Sequence, residues 1–358
     1  MMPVANALAA RGIRPTLILT GQHSGLAGAD FGFGSLDVID LGCPGEPDSH
    51  AHVRRVSNAV RPLLAGGPDL LVVQGDTSSA LGGALAGFTA GIAVAHVEAG
   101  LRTHDLGLPW PEEEYRVAID RHADLLFAPT EISAANLRAE QVPGEIHVTG
   151  NTGVDALLAI EAKLPARDSS AGSVPRLLVT CHRRESWSGG LTTIASALVA
   201  IARERPVAID VVLHPNPHIA AKMRDLLQHC AGISLLEPCS HLELVRRIRD
   251  CDLVLSDSGG VQEEAPTIGT PLLVLRDKTE RPEAIASGNA LLVGTTAERI
   301  VTEVRRLLDD PVQRRRMAAR SLPFGDGRSG PRIAALIEGW LDRRECTELL
   351  SMPIISPS

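Results

Sequence analysis

Short apolar runs separated by longer Ala-, Leu- and Arg-rich stretches repeat along the whole chain. The runs at 16–19, 37–41, 70–73, 93–97, 125–128 and 146–149 predict a first set of strands. A second set follows at 176–180, 208–213, 233–236, 253–255, 272–274 and 291–293. Runs that are apolar throughout, rather than alternating, suit parallel strands buried on both faces, with the intervening helices as their cover. The pattern predicts an α/β chain with a doubly wound parallel sheet in each half. The most linker-like stretch, 163–175 (Lys-Leu-Pro-Ala-Arg-Asp-Ser-Ser-Ala-Gly-Ser-Val-Pro), marks the seam. Domains over 1–165 and 166–330 follow, and the cleft between them is the expected site.

The segment Ser256-Asp257-Ser258-Gly259-Gly260-Val261-Gln262-Glu263-Glu264 carries the most chemistry. It follows the apolar run 253–255 and opens a predicted helix. A strand that turns into a helix through Ser-Gly-Gly leaves backbone N–H groups free at the positive end of the helix dipole, a site for a phosphate or diphosphate. Glycines at 259 and 260 let the backbone approach the anion. Glu264, one turn on, is placed to accept hydrogen bonds from a ribose. The plainer reading is a tight strand–helix turn without a ligand.

Other strand ends also carry polar clusters. Asp76 follows run 70–73, Glu98 ends run 93–97, His182 with Arg183 and Arg184 follows 176–180, and His214 follows 208–213. Glu112, Glu113 and Glu114 follow Pro111 at a predicted helix start. There the helix dipole alone explains acids, and Glu113 and Glu114 are read that way. Asp76 admits a second role as the cap of the following helix. A charge at Glu98, closing a buried strand, is costly unless paired or used. Two arginines beside His182 suit anion binding or a surface ion-pair cluster.

Composition narrows the field. The 358 residues suggest two domains, at roughly 150 residues each. Aromatics make up 3%, so the cores are built from Leu, Val, Ile and Ala. A net charge of -8 without a basic run argues against a nucleic-acid partner. Six scattered cysteines lack a C-x-x-C pair, which argues against a disulfide framework or zinc site and predicts that most are reduced core residues. No apolar run approaches the roughly 20 residues of a membrane span, so a soluble cytoplasmic protein is expected.

Taken in order, the segments 20–23, 75–77, 96–103, 109–116, 128–131, 149–152, 182–185, 214–216, 257–266, 276–283 and 324–327 resemble the non-hydrolysing UDP-N-acetylglucosamine 2-epimerases. The match covers roughly residues 1 to 340. The resemblance implies two Rossmann-like domains in the glycosyltransferase-B arrangement, a helix near 331–345 returning to the first, and a cytoplasmic homodimer. It implies interconversion of UDP-GlcNAc and UDP-ManNAc without NAD or an obligatory metal, in the service of cell-envelope polysaccharide synthesis. Elimination of UDP would leave a 2-acetamidoglucal, to which UDP readds. Asp76, Glu98, Glu112 and His182 carry over as catalytic residues. Arg183, His214, Ser258, Gly259, Gly260, Glu264 and Arg281 carry over to UDP and substrate binding, and Gln22 and His23 to an allosteric UDP-GlcNAc site.

Departures exist. The family opens with a strand and a Gly-Thr-Arg-Pro-Glu loop, whereas Met1 aligns inside the first helix. A missing central strand would leave unpaired backbone groups, so the expectation is a truncated reading of a longer protein, with a destabilised first domain. Tyr115 stands where the family usually has Asn, and Ser24-Gly25 with a shortened 23–68 region puts allosteric control in doubt. The rival readings are a hydrolysing relative, a glycosyltransferase, or a non-catalytic nucleotide-sugar sensor. Gly150-Asn151-Thr152-Gly153-Val154-Asp155 lacks the pyrophosphate-loop glycine spacing, which argues against a dinucleotide oxidoreductase.

Overall fold

The computed structural model describes residues 1–22, 36–166, 174–181 and 189–351. Each expected apolar run contains a strand, with some ends shifted by one residue. The strands are β1 (Thr16–Leu19), β2 (Asp37–Asp40), β3 (Leu71–Gln74), β4 (Val94–Val97), β5 (Leu125–Ala128) and β6 (Glu145–Val148). They continue with β7 (Arg176–Thr180), β8 (Ala208–Val212), β9 (Ile233–Leu236), β10 (Leu253–Ser256), β11 (Leu272–Val274) and β12 (Ala290–Leu292). All pairings are parallel.

The chain divides into two compact units, Met1–Asp155 with Gly325–Ser358, and Ala156–Phe324. The division falls inside the helix Thr152–Glu161, some way before the linker-like stretch, because that helix continues without a break past the change of unit.

In the first unit the strands do not form one sheet. They form β1-β2 and β3-β4-β5-β6, with β1 and β3 each at the end of its order. The strands β4 and β5 are buried at every residue, and their side chains alternate between two cores. Ala95, Val97, Leu125 and Phe127 meet Val4 and Leu8 and, from the helix Ser329–Ser351, Ile333, Ile337 and Trp340. The C-terminal helix thus belongs to this unit. Val94, Leu126 and Ala128 face the other way, against Leu81, Ala84, Tyr115 and Ile119. His96 shares that second face by the same period of two.

The second unit has one six-stranded sheet, ordered β9-β8-β7-β10-β11-β12. The order reverses between β7 and β10, so a doubly wound sheet presents its ligand crevice beyond their carboxyl ends. Leu198, Ile201, Val211, Ile300 and Val304 are among the residues that close the core beneath it. All six cysteines are free, but only Cys43, Cys181 and Cys251 are fully buried, and Cys239 and Cys346 are exposed. No helix among the described residues is long and apolar enough to cross a membrane.

Candidate active site

The amide turn lies at the switch point of the second unit. Strands β7 and β10 are tied at their carboxyl ends by Thr180 Oγ1 and Ser256 Oγ, 2.7 Å apart and buried. Ser258 caps the helix Gly259–Ile268 in position only, since its side chain makes no capping bond. Thr77 and Ser240 do make such bonds, accepting from Ala80 N at 3.2 Å and Glu243 N at 3.3 Å, whereas Thr296, like Ser258, makes none. The first-turn amides after Ser258 are therefore left to another acceptor.

Beneath the turn is a buried ion network. Arg281 Nε donates to Glu263 Oε1 at 2.6 Å and its Nη1 to Glu280 Oε1, while Arg276 pairs with Glu280 at 2.9 Å. The guanidinium fills the space a side chain at 259 would need: a Cβ there would lie 2.7 Å from Arg281 Nη1 and 2.9 Å from Cζ. At Gly260 the nearest atom to such a Cβ would be Ser258 Oγ at 4.0 Å, ordinary contact. The two glycines thus differ: Gly259 makes room for Arg281, whereas Gly260 has room for a methyl group. Thr279 donates to Gln262 Oε1 at 2.6 Å and accepts from Arg281 N at 3.1 Å, which fixes the arginine's backbone.

His214, at the end of β8, accepts from Asn216 N through Nδ1 at 2.8 Å, so its proton sits on Nε2. Glu264 accepts from His241 Nε2 at 2.6 Å, and that bond raises the imidazole's pKa against the opposing effect of burial.

The acids of the first unit gather at the carboxyl ends of β3 and β4. Asp76 accepts from Arg116 Nη2. Thr77, not Asp76, caps the helix Ser78–Ala90, which corrects the capping alternative: Asp76 is turned to the arginine instead. Glu98 has φ 72°, a left-handed conformation unusual for a residue with a Cβ. Its N–H and that of Ala99 both donate to Phe127 O at 3.1 Å, which holds the turn. The Glu98 carboxylate lies beside Gly75, itself at φ 70°, and accepts from Asn151 Nδ2 at 3.4 Å.

Glu112 opens the helix Glu112–Asp120 and shares a face with Arg116, one turn on. Glu113 is not a solvated dipole partner as its position suggests. It is 1% exposed, accepts from Thr103 N and His104 N at 2.8 and 3.0 Å, and pairs with Arg116 at 3.1 Å. The loop at Thr103 and His104 covers Glu113 and fixes that role, and of the three acids Glu114 alone is exposed.

Under this cluster lies a second buried network. His96 Nδ1 meets Asp120 Oδ1 at 2.6 Å and Nε2 meets Gly75 O at 2.8 Å. Both nitrogens face acceptors, so the ring carries both protons. Burial opposes that charge, but Asp120 and the Gly75 carbonyl outweigh it and the pKa is raised. Burial would raise the Asp120 pKa, yet His96 and Arg102 hold it below the usual carboxylate range. Arg102 reaches Asp120 at 2.8 Å and grips Glu140 with two bonds of 2.7 and 2.8 Å.

Likeness to known proteins decides the family. A family model described as UDP-N-acetylglucosamine 2-epimerase matches residues 6–338. The UDP-N-acetylglucosamine 2-epimerase of Yersinia pestis is 44% identical over 293 residues, 78% of this chain and 78% of that one. The chain belongs to the UDP-N-acetylglucosamine 2-epimerase family. Among solved structures, the Neisseria meningitidis UDP-GlcNAc 2-epimerase bound to UDP-GlcNAc matches with a TM-score of 0.86 and 32% identity, over 94% of this chain and 95% of that chain. The Methanocaldococcus jannaschii enzyme in complex with UDP-GlcNAc and UDP gives a TM-score of 0.81 and 32% identity, with the same coverage of 94% and 95%. This membership makes the chain an isomerase with two Rossmann-like units of the glycosyltransferase-B type.

In this epimerase, Asp76, Glu98 and Glu112 sit in the first unit, and His214, Ser258, Gly259, Gly260, Glu264 and Arg281 in the second. Gln22 Oε1 accepts from Ser79 Oγ at 2.6 Å, which ties it to the helix after Asp76. His23, His182, Arg183 and Arg184 lie outside the described residues. Sequence reasoning missed Arg116, Asp120, Arg102, Glu263 and His241. Only Arg116 offered a signal, its spacing of four from Glu112.

Proposed function

We propose that the chain interconverts UDP-GlcNAc and UDP-ManNAc without releasing free sugar. A base removes the C2 proton, the C1–O bond breaks, and its electron pair leaves with UDP. The carbon pair becomes the C1–C2 double bond of 2-acetamidoglucal. UDP then readds at C1 as C2 takes a proton on the opposite face. Cleavage of C1–O develops positive charge on the ring, and carboxylates at Asp76, Glu98 and Glu112 stabilise it. His182 is the fourth catalytic group of the proposal. The diphosphate rests on the amides after Ser258, with Arg183, His214 and Arg281 supporting it and Glu264 receiving the ribose. In this proposal the working protein is a homodimer.

The observation that carries this reading is the uncapped turn Ser258–Gly259–Gly260 at the β7/β10 reversal, in a chain whose relatives include structures bound to UDP-GlcNAc. The test is a proton NMR time course with UDP-GlcNAc in heavy water. The expected result is a UDP-ManNAc signal with deuterium at C2 and no free sugar. Accumulating free ManNAc with UDP would replace the proposal with a hydrolysing reaction, and binding without exchange at C2 would leave a nucleotide-sugar sensor.

A further inference from the structure

His241, the partner of Glu264, has no part in the proposed reaction. His241 is the first residue of the helix His241–Asp250, and its Nε2 lies 2.6 Å from Glu264 Oε1. A carboxylate only accepts, so the imidazole donates. Helix stability does not explain a histidine there, because the positive end of a helix dipole disfavours a cation. Nor is the contact an ordinary surface ion pair between two solvated chains: the Glu264 side chain is 14% exposed, against 46% for His241. Glu264 lies five residues beyond Gly259, about 7.5 Å along the helix axis. That displacement carries a carboxylate from the diphosphate turn to the reach of the nucleotide's sugar.

We infer that His241 is a positioning residue, which fixes the Glu264 carboxylate to accept from the ribose hydroxyls and so sets a preference for ribonucleotides over 2′-deoxyribonucleotides. The inference rests on the proposed role of Glu264 at the ribose. Without the bond, Glu264 samples several rotamers, and the cost of ordering it falls on the ligand's affinity. The remaining carboxylate oxygen is set by the first, because the group is planar.

The test is calorimetric titration of the full chain with UDP and with 2′-deoxyuridine 5′-diphosphate, for wild type, E264Q, H241A and H241Q, with melting temperatures as a folding control. The wild type is expected to favour UDP by about tenfold, the scale of one hydrogen bond to a charged group. E264Q brings the ratio near one. H241A lowers it about threefold at an unchanged melting temperature, and H241Q, whose amide N–H still donates, restores most of it. If E264Q loses the preference while H241A keeps it, the inference is wrong and the role of Glu264 stands. If H241Q behaves as H241A, donation to Glu264 is not what His241 supplies. If E264Q keeps the wild-type ratio, Glu264 does not read the ribose, and both ideas fall together.

Discussion

Arg116 reaches across 40 residues of sequence to bind the carboxylate of Asp76, from the helical face that also carries Glu112. The arginine is thereby the hinge pin of the acid cluster: it pairs with Asp76, pairs with Glu113, and stands one turn from Glu112. Its side chain is 2% exposed, so the charge has little water to fall back on.

Replacing this arginine therefore tests the cluster. R116M leaves Asp76 and Glu113 without their cation and is expected to cost about 3 kcal/mol of stability, the lower end for breaking a buried pair because Asp76 is 26% exposed. Turnover is expected to fall by about 100-fold, from displacement of Asp76. Denaturant melts together with kcat check it, and an active R116M at wild-type stability would remove Arg116 from the site.

Glu98 holds a left-handed backbone that favours glycine, so E98G relieves strain at the expense of a carboxylate. Relief of a left-handed residue is worth about 1 kcal/mol, and added chain entropy takes back part of it. E98G is expected to be at least as stable as wild type and to lose measurable epimerisation. E98Q keeps the shape and is expected to be equally inactive. Thermal melts beside the NMR assay decide this. A clearly destabilised E98G would mean the Glu98 side chain supports the fold.

The buried imidazole gives stability a defined pH dependence. His96 has a raised folded pKa, so its contribution is full below the unfolded value of about 6.5 and fades as pH rises through the folded value. Asp120 has a lowered pKa, so its contribution is full above its unfolded value and fades as pH falls through the folded one. H96N, which cannot carry charge, is expected to be less stable than wild type by about 2 kcal/mol near pH 6, with the gap narrowing towards alkaline pH. Urea unfolding at several pH values measures it, and a gap that widens with pH would reverse the assignment of charge.

The two glycines of the turn are expected to respond differently. At 259 a methyl group would press on Arg281 at 2.7 Å, and displacing a buried guanidinium bound to two carboxylates costs about 1–3 kcal/mol. G259A is expected to weaken UDP binding by about tenfold or more and to lower the melting temperature. G260A meets only ordinary contact with Ser258 Oγ and is expected to keep the fold, with any loss confined to affinity. Calorimetry with UDP on both variants separates the cases, and equal effects would place the anion contact evenly on both residues.

The twelve strands, the turn at 258–260 and the strand-end positions of Asp76 and Glu98 were legible in the chain, because each is written in adjacent residues. An apolar run reports burial, a Ser-Gly-Gly step reports an exposed amide turn, and neither needs a distant partner. The partners of the acids were not legible. Asp76 reads locally as a cap, yet Thr77 takes that role and frees Asp76 for Arg116. Glu113 and Glu114 read alike, yet one is buried under a loop and the other exposed.

The linear order of residues thus determined the class of fold, the family and the places where polar groups emerge from the sheets. Only tertiary structure decided that six strands of the first unit divide between two sheets, that His96 bridges Asp120 and Gly75, and that Arg281 occupies the space at Gly259. The physical reason is range. Hydrophobic periodicity is a property of neighbours along the chain, whereas charge pairing and steric exclusion depend on which crossovers bring distant segments within a few ångströms.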